Sequence, residues 1–594
     1  MICWGDHKNC GIFVPDALER KNCTCEREMC ISDLPLEDRQ PVTEVDLEEV
    51  QDNMYMRSEE FLKELSNIIK IKSISSDAQY DKQNKQIIDR LAQYLKEREF
   101  EVDVVEIKPK DNEGNLSMQY VLFANYFSTP IKNVVLFYGY VDVPDIEDLG
   151  KWKHDPFKLI EEDDLLFGQG LATSKGPILA WIQAIDSWLT DTTDIPVNVR
   201  LVIEVNHYQN SRGLRQLIEE RQEFFQSVDL ILFCTNYWIA EKVPMLISSY
   251  SGYVYFSLNV YARDTDPLSL PSSAFPSDPM SEMCLLLNTL MDPKKGSLVK
   301  DLQRHVTPLT QNDWNILCKI ESGPMELKES QDIKRLPHEQ SRPEFLKHRW
   351  CMPSISIHKV KTFNSDSLRT LRTPSHCMAE FSVKVVSQQS LRYVIYLIQS
   401  HFDEAYRQLK CVHTADLRVI DKMPPLNETR GNPFTETVGT AFKRVFNCKA
   451  VIPDNLSVTL PIVNVMRKYC MPHAFSVGVP FSSIHSQPGR PNESLPQEMY
   501  FQNVDLFVNI MYEISFRPPG CKCDVVEDFC FESGNDTALD FMSMIAHRQP
   551  SVAIGIHELD AWEQNQKLFT LESSGEKPDS NYIRFGNKLR RKLD

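Results

Sequence analysis

Apolar and polar positions follow two rhythms along this chain. Over residues 44–71, EVDLEEVQDNMYMRSEEFLKELSNIIKI, apolar residues recur every three or four positions, which predicts helix. The same spacing predicts a helix over 86–99, and FEVDVVEI at 100–107 switches to the alternation of a strand. Further strands are predicted near 119–126 and over 134–140, 196–205 and 229–238, with helix-like runs at 177–189 and 214–228. Strands interleaved with helices in this way indicate an α/β fold with a mainly parallel, helix-covered sheet. From about 253 the character changes. Alternating segments at 253–262, 353–360, 380–386 and 415–421 accompany helical patterns at 281–292 and 391–409, and the stretch before 345 is long and polar. This is the pattern of an inserted α+β domain. The expected organisation is an irregular Cys-containing extension (1–45), a first α/β part (46–252), the α+β insert (253–421), a second α/β part (422–517) and a C-terminal extension with little expected structure (518–594).

Open α/β sheets place their chemistry at the carboxyl ends of the strands. Here 134-VVLFYGYVDVP-144 ends in such a turn, and 166-LFGQGLATSKGPILAW-181 sets Gly168, Gly170 and Gly176 between a strand and a helix. The polar residues at these turns are Tyr140, Asp142, Thr173 and Ser174. Phenol and hydroxyl groups hold their protons far above neutral pH, so this set is poor in bases and metal ligands. The segment GQGLATSKG resembles a phosphate-cradling loop through Lys175 and Gly176, but its spacing is wrong. There is no G-x-S-x-G elbow, Walker loop or dinucleotide G-x-G-x-x-G. His154 and Asp155 read as surface residues at a strand entry.

A formal net charge of -18 over 594 residues argues against nucleic acid or an anionic membrane as partner. No apolar run reaches the length of a spanning helix, and the first residues, MICWGDHKNCGIF, lack the basic and apolar regions of a signal peptide. A cytoplasmic location is expected. Of 16 cysteines, Cys3, Cys10, Cys23, Cys25 and Cys30 cluster at the start and Cys521, Cys523 and Cys530 near the end, in no standard zinc spacing. They suggest reduced thiols, or a terminal thiol or metal-binding module.

The run GYVDV, then 152-WKHDPFKLIEEDDLLFGQGLATSKGPILAW-181, 195-IPVNVRLVIEV-205, 236-NYW-238, 348-HRW-350, Phe381-Ser382 and 485-HSQ-487 resembles the carnosinase and cytosolic non-specific dipeptidase branch of the di-zinc aminoacylase/carboxypeptidase family. The resemblance spans roughly residues 55–517. It implies a di-zinc exopeptidase-like domain, resumed after an inserted lid and dimerisation domain. It also implies site positions. The metal-ligand positions fall on Tyr140, Thr173, Tyr208, Thr235 and His485, with Ser174 as the neighbour of the bridging position and His207 in place of the general base. Asp142 keeps the position that orients the first ligand, though with no ligand left to orient. The transition-state His position falls on Leu268, the Arg that grips the substrate carboxylate on Ser375, and the carboxylate cradle on 454-DNLS-457, ending at Ser457.

Of the ligand positions, His485 alone keeps a metal-competent side chain, and a zinc pair needs about three protein ligands per ion. The resemblance therefore implies a carnosinase-like protein without catalysis and without a cofactor, zinc being the metal of the active relatives. Such a protein would act through binding, as a homodimer or as a heterodimer with an active relative, with a peptide or small molecule as possible ligand. The competing expectation is a metal-dependent dipeptidase with a site rebuilt around His207, Tyr208 and His485.

Overall fold

The computed structural model describes residues 42–108 and 118–517, except 147, 193, 212, 241–242, 263–277, 293–295, 305, 321–340, 364–373, 387–388, 428–431, 457–459 and 471–473, together with the backbone of 582–585 and 588–591. Leu268, Ser457 and the terminal cysteine clusters lie outside the described residues.

The central sheet is built from β1 (Glu101–Ile107), β2 (Gln119–Tyr126), β3 (Val134–Tyr140), β6 (Asn198–Glu204), β7 (Leu230–Thr235) and the strand Phe475–Pro480. Their order across the sheet is β1, β2, β6, β3, β7 and last the strand Phe475–Pro480. Two short strands, β4 (Ile160–Glu162) and β5 (Leu165–Phe167), lie apart, β5 pairing with both β4 and Ser494–Pro496. Strand β3 runs parallel to β6 and to β7, and the strand Phe475–Pro480 runs parallel to β7. Strand β2 is antiparallel to both β1 and β6. Burial on both faces explains the sequence here: β3 opens with five consecutive buried residues, Val134 to Tyr138.

Helices cover both faces. The helical pattern at 44–71 is two helices, α1 (Glu44–Met56) and α2 (Ser58–Ile69). They part at Arg57, whose backbone leaves the helical region (φ -91°, ψ 12°) while its guanidinium reaches Asp186 at 2.7 Å. Thr43 and Asp46 close the start of α1 with a reciprocal capping box. The pattern at 86–99 belongs to α3 (Asp81–Lys96), and that at 177–189 to α4 (Lys175–Thr192). α4 is buried almost along its length and packs on the helix Gln497–Ser515, with Trp181 stacked on Phe507 at 3.6 Å between ring centroids. Gly139 lets α4 lie close on β3, and Gly176 lets its first turn close on the preceding loop. A Cβ at Gly139 would lie 2.1 Å from Ile178 Cδ1, and one at Gly176 would lie 1.9 Å from the Leu171 carbonyl oxygen.

The region after 252 forms a second, antiparallel sheet in the order Ile355–Phe363, His376–Val385, Gly252–Tyr261, Thr414–Met423. Along His376–Val385 every second side chain is buried, as the alternation requires. These residues share a separate core with the helices Pro279–Asn288 and Leu391–Gln408. The polar stretch before 345 is less irregular than its composition suggests. It contains the helix Gln311–Lys319, begun by a capping box of Thr310 and Asp313, and leads into Arg342–Cys351.

Candidate functional site

The turns that follow the parallel strands bring the predicted positions to one edge of the sheet. Tyr140 ends β3, Asp142 lies in the turn beyond it, and Thr173 and Ser174 lead into α4. His207 and Tyr208 form a single 3-10 turn after β6, and Thr235 ends β7.

Tyr140, His207 and Tyr208 form one aromatic cluster. The rings of Tyr140 and His207 stack at 3.7 Å with planes 7° apart, and Tyr208 stands edge-on to both. Burial raises both phenols well above their usual range and depresses the His207 imidazolium to about 4, so all three rings are neutral at pH 7.

Asp142 has something to orient after all. Its fully buried carboxylate accepts the Ser75 hydroxyl at 2.6 Å and the backbone N–H groups of His207 at 3.1 Å and Tyr208 at 3.0 Å. In this chain it fixes the backbone of the turn that carries both rings. Burial outweighs these donors and pushes the Asp142 carboxyl up to about 6.

Three further buried groups meet here: Glu204 and Glu493, which the sequence did not single out, and Lys175, which it offered only in a loop of the wrong spacing. Glu204, at the end of β6, accepts the hydroxyls of Tyr138 at 2.5 Å and Ser211 at 2.7 Å on one oxygen, and burial pushes it up to about 8. His207 Nδ1 lies 4.0 Å from that oxygen. With His207 neutral and Glu204 protonated at pH 7, the contact is not an ion pair. Glu493 accepts N–H groups from the turn before α4, and burial raises it to about 7. Lys175, fully buried, donates to the Ile71 carbonyl at 2.6 Å; burial lowers it to about 7 against the opposing pull of Glu493.

The remaining positions take no part in the aromatic contacts described above, and most have other partners. His485 sits in the 3-10 turn Ile484–Ser486 and is exposed, and it joins no metal-capable group among the described residues. Ser375 lies beside the insert sheet, its carbonyl accepting the Ala262 N–H at 2.8 Å. The start of the 454–457 segment is tied to the helix Gln311–Lys319, because Asp313 accepts the N–H groups of Asp454 and Asn455 at 2.7 and 3.1 Å. His154 bonds Glu162 at 2.7 Å beside β5, and Asp155 caps the Phe157 N–H.

Zinc takes four ligands from thiolate, imidazole and carboxylate. Phenols raised by burial and threonine hydroxyls are not such donors, and no group of three or more His, Cys, Asp or Glu able to hold a metal occurs among the described residues. The residues present at this edge do not fit a zinc pair. What they make is a neutral, aromatic turn cluster whose rings are half-buried.

Comparison with known proteins agrees on the scaffold. The sequence model of peptidase family M20/M25/M40 matches residues 136–513. The Beta-Ala-His dipeptidase of Mus musculus is 27% identical over 410 residues, covering 67% of this chain and 81% of the mouse protein. The Cys-Gly metallodipeptidase of Candida albicans is 26% identical over 403 residues, covering 66% of this chain and 82% of the fungal protein. The crystal structure of human carnosine dipeptidase 1 superposes with a TM-score of 0.63 at 25% identity, covering 79% of this chain and 98% of that one.

Proposed function

Because the chain belongs to peptidase family M20/M25/M40, we propose that it is a dipeptidase-fold protein that binds without hydrolysing. The observation that carries this reading is the Tyr140–His207 stack with Tyr208 set against it. Three positions that the resemblance assigns to two ligands and the base are in mutual contact as neutral rings. Rings stacked on one another in a half-buried cluster are a rebuilt packing arrangement rather than a ligand shell with members missing.

Binding through the insert is the role we assign to the protein. Strand Ile355–Phe363 is an edge of its sheet and is exposed at every position after Ile355. Ile357, Val360 and Phe363 are 41%, 43% and 38% exposed. An edge strand with apolar side chains is a template for another strand, and a second copy of this chain or a related dipeptidase presents a matching one. The described cysteines, among them the buried Cys351, Cys377 and Cys448, are all free, which supports a reducing, cytoplasmic setting. No described helix is long and apolar enough to cross a membrane.

The competing reading, a rebuilt metal-dependent dipeptidase, has one observation in its favour: His207 Nδ1 and Glu204 Oε2 are buried without a protein partner. They offer two donors where zinc takes four.

The test is zinc per full-length chain after exposure to excess zinc and dialysis, with the terminal cysteines alkylated, alongside hydrolysis of β-Ala-His and Cys-Gly. We expect well under one ion per chain and no hydrolysis above the uncatalysed rate. One or two retained ions with turnover that disappears in His207→Ala would overturn the reading.

A further inference from the structure

The segment GQGLATSKG carries glycines and a lysine before a helix, as an anion cradle does, although its spacing is not that of a nucleotide-binding loop. In the structure its backbone is arranged around an anion, and the anion is part of the chain. One Glu493 oxygen accepts the Gly170 N–H at 2.8 Å. The other accepts the N–H groups of Ala172 at 2.8 Å and Thr173 at 3.0 Å and the Thr173 hydroxyl at 3.0 Å. Gly170 adopts φ +85°, the left-handed conformation that turns neighbouring N–H groups inward to form a nest. The 18-residue helix α4 starts immediately afterwards and adds its positive end.

Three further features belong to the same place. Glu493 and Lys175 are both fully buried, with the lysine opposing the carboxylate charge from the first turn of α4. Ser174 Oγ, on a residue 1% exposed, has no hydrogen-bond partner in the protein and lies 2.8 Å from where a Cβ of Gly170 would be. The segment that delivers Glu493 is tightly folded, with left-handed backbone at Gln487 (φ 50°), Gly489 (φ 68°) and Asn492 (φ 64°). It packs against the aromatic cluster, a Cβ at Gly489 coming 3.1 Å from the Tyr208 hydroxyl.

We propose that the turn Gly168–Ser174 is a carboxylate-binding site which the chain fills with its own Glu493, and which accepts a small external carboxylate when that side chain is removed. The donors number four and converge on two oxygens, the geometry of a carboxylate rather than of a tetrahedral phosphate. As a tethered ligand, Glu493 closes the turn that carries Thr173 and Ser174 and holds the 487–492 segment over Tyr208. The inference rests on this geometry alone and stands whether or not the protein hydrolyses peptides.

Glu493→Ala in the full-length chain leaves the donors in place and removes their acceptor. Thermal unfolding is followed in 100 mM sodium acetate and in sodium chloride of equal ionic strength. In chloride the variant should unfold roughly 5 °C or more below the wild type, since several charge-assisted bonds are lost. Acetate should restore at least half of that loss, through mass action on the folded state. The wild type and Glu493→Gln, whose side chains still fill the site, should move by less than about 1 °C between the two salts. A folded Glu493→Ala that responds to acetate no more than the wild type does would overturn the proposal. If the variant does not fold in chloride, recovery of its near-ultraviolet circular dichroism on refolding in acetate is the readout. Equal failure in both salts refutes the site.

Discussion

Glu204→Gln tests whether the edge of the sheet is built for neutral groups. Glu204 is fully buried, and one of its oxygens accepts from Tyr138 and Ser211. Burial raises its carboxyl from the ordinary 4.5 to about 8. A carboxyl with a raised folded value holds its proton in the native state after the unfolded chain has released it. Stability contributed by this group is therefore fully present below about 4.5 and declines as pH rises toward 8. Between pH 5 and pH 8 the decline is on the order of 4 kcal/mol, at about 1.4 kcal/mol per pH unit. Glutamine keeps the accepting oxygen, has no proton to lose, and places an amide group where Glu204 Oε2 has no partner. Urea unfolding of wild type and variant at pH 5, 6.5 and 8 separates this term from every other titrating group, because all the others are common to both. The variant should gain on the wild type as pH rises, by several kcal/mol over the range. A difference that stays constant with pH would mean that Glu204 ionises inside the fold at its ordinary value, and the neutral-cluster argument would fail.

Three other outcomes follow from the same structure. Asp142→Ala strands the Ser75 hydroxyl and the N–H groups of His207 and Tyr208, and should cost about 3 kcal/mol or more in urea unfolding while weakening the near-ultraviolet signal of the Tyr140–His207 stack. Gly176→Ala drives a methyl group into the Leu171 carbonyl and should lose at least about 3 kcal/mol, whereas Gly439→Ala, inside the helix Pro433–Phe446 with nothing within 4 Å of its Cβ, should gain about 0.5–1 kcal/mol by the same assay. Val360→Asp places a charge on the exposed edge strand, and sedimentation velocity should show a dimer for the wild type and a monomer of unchanged fold for the variant; a monomeric wild type would remove the edge-pairing role.

The fold was legible in the sequence wherever burial imposes a strict period. The run 134–140 reads as a buried strand because both faces of β3 are covered, and 380–386 reads as alternating because one face of its sheet, in the strand His376–Val385, lies on the insert core. The break at Arg57 was not legible, since neither glycine nor proline marks it. The Arg57 side chain there is held by a carboxylate, Asp186, that lies 129 residues further along the chain. Glu493 was missed for a related reason: in PNES it reads as a turn residue, and only the fold shows three N–H groups from 170–173 closing on it.

The site inverts the value that sequence reasoning gives to single residues. His485 has the side-chain chemistry of a ligand, yet it stands exposed on its turn and joins no metal-capable group among the described residues, so residue type without orientation carries little. Tyr140, His207 and Tyr208 read one at a time as losses, because each is a poor substitute for a ligand or base. Together they are a gain. A tyrosine ring at 140 supplies a flat apolar surface for the neutral imidazole at 207, and Asp142 fixes the backbone that brings the two into register. Changing one of them back toward a metal ligand would therefore not take a step toward zinc binding. It would open a gap beside two aromatic rings and bring a polar group into a site where burial already raises every neighbouring carboxyl well above its ordinary range.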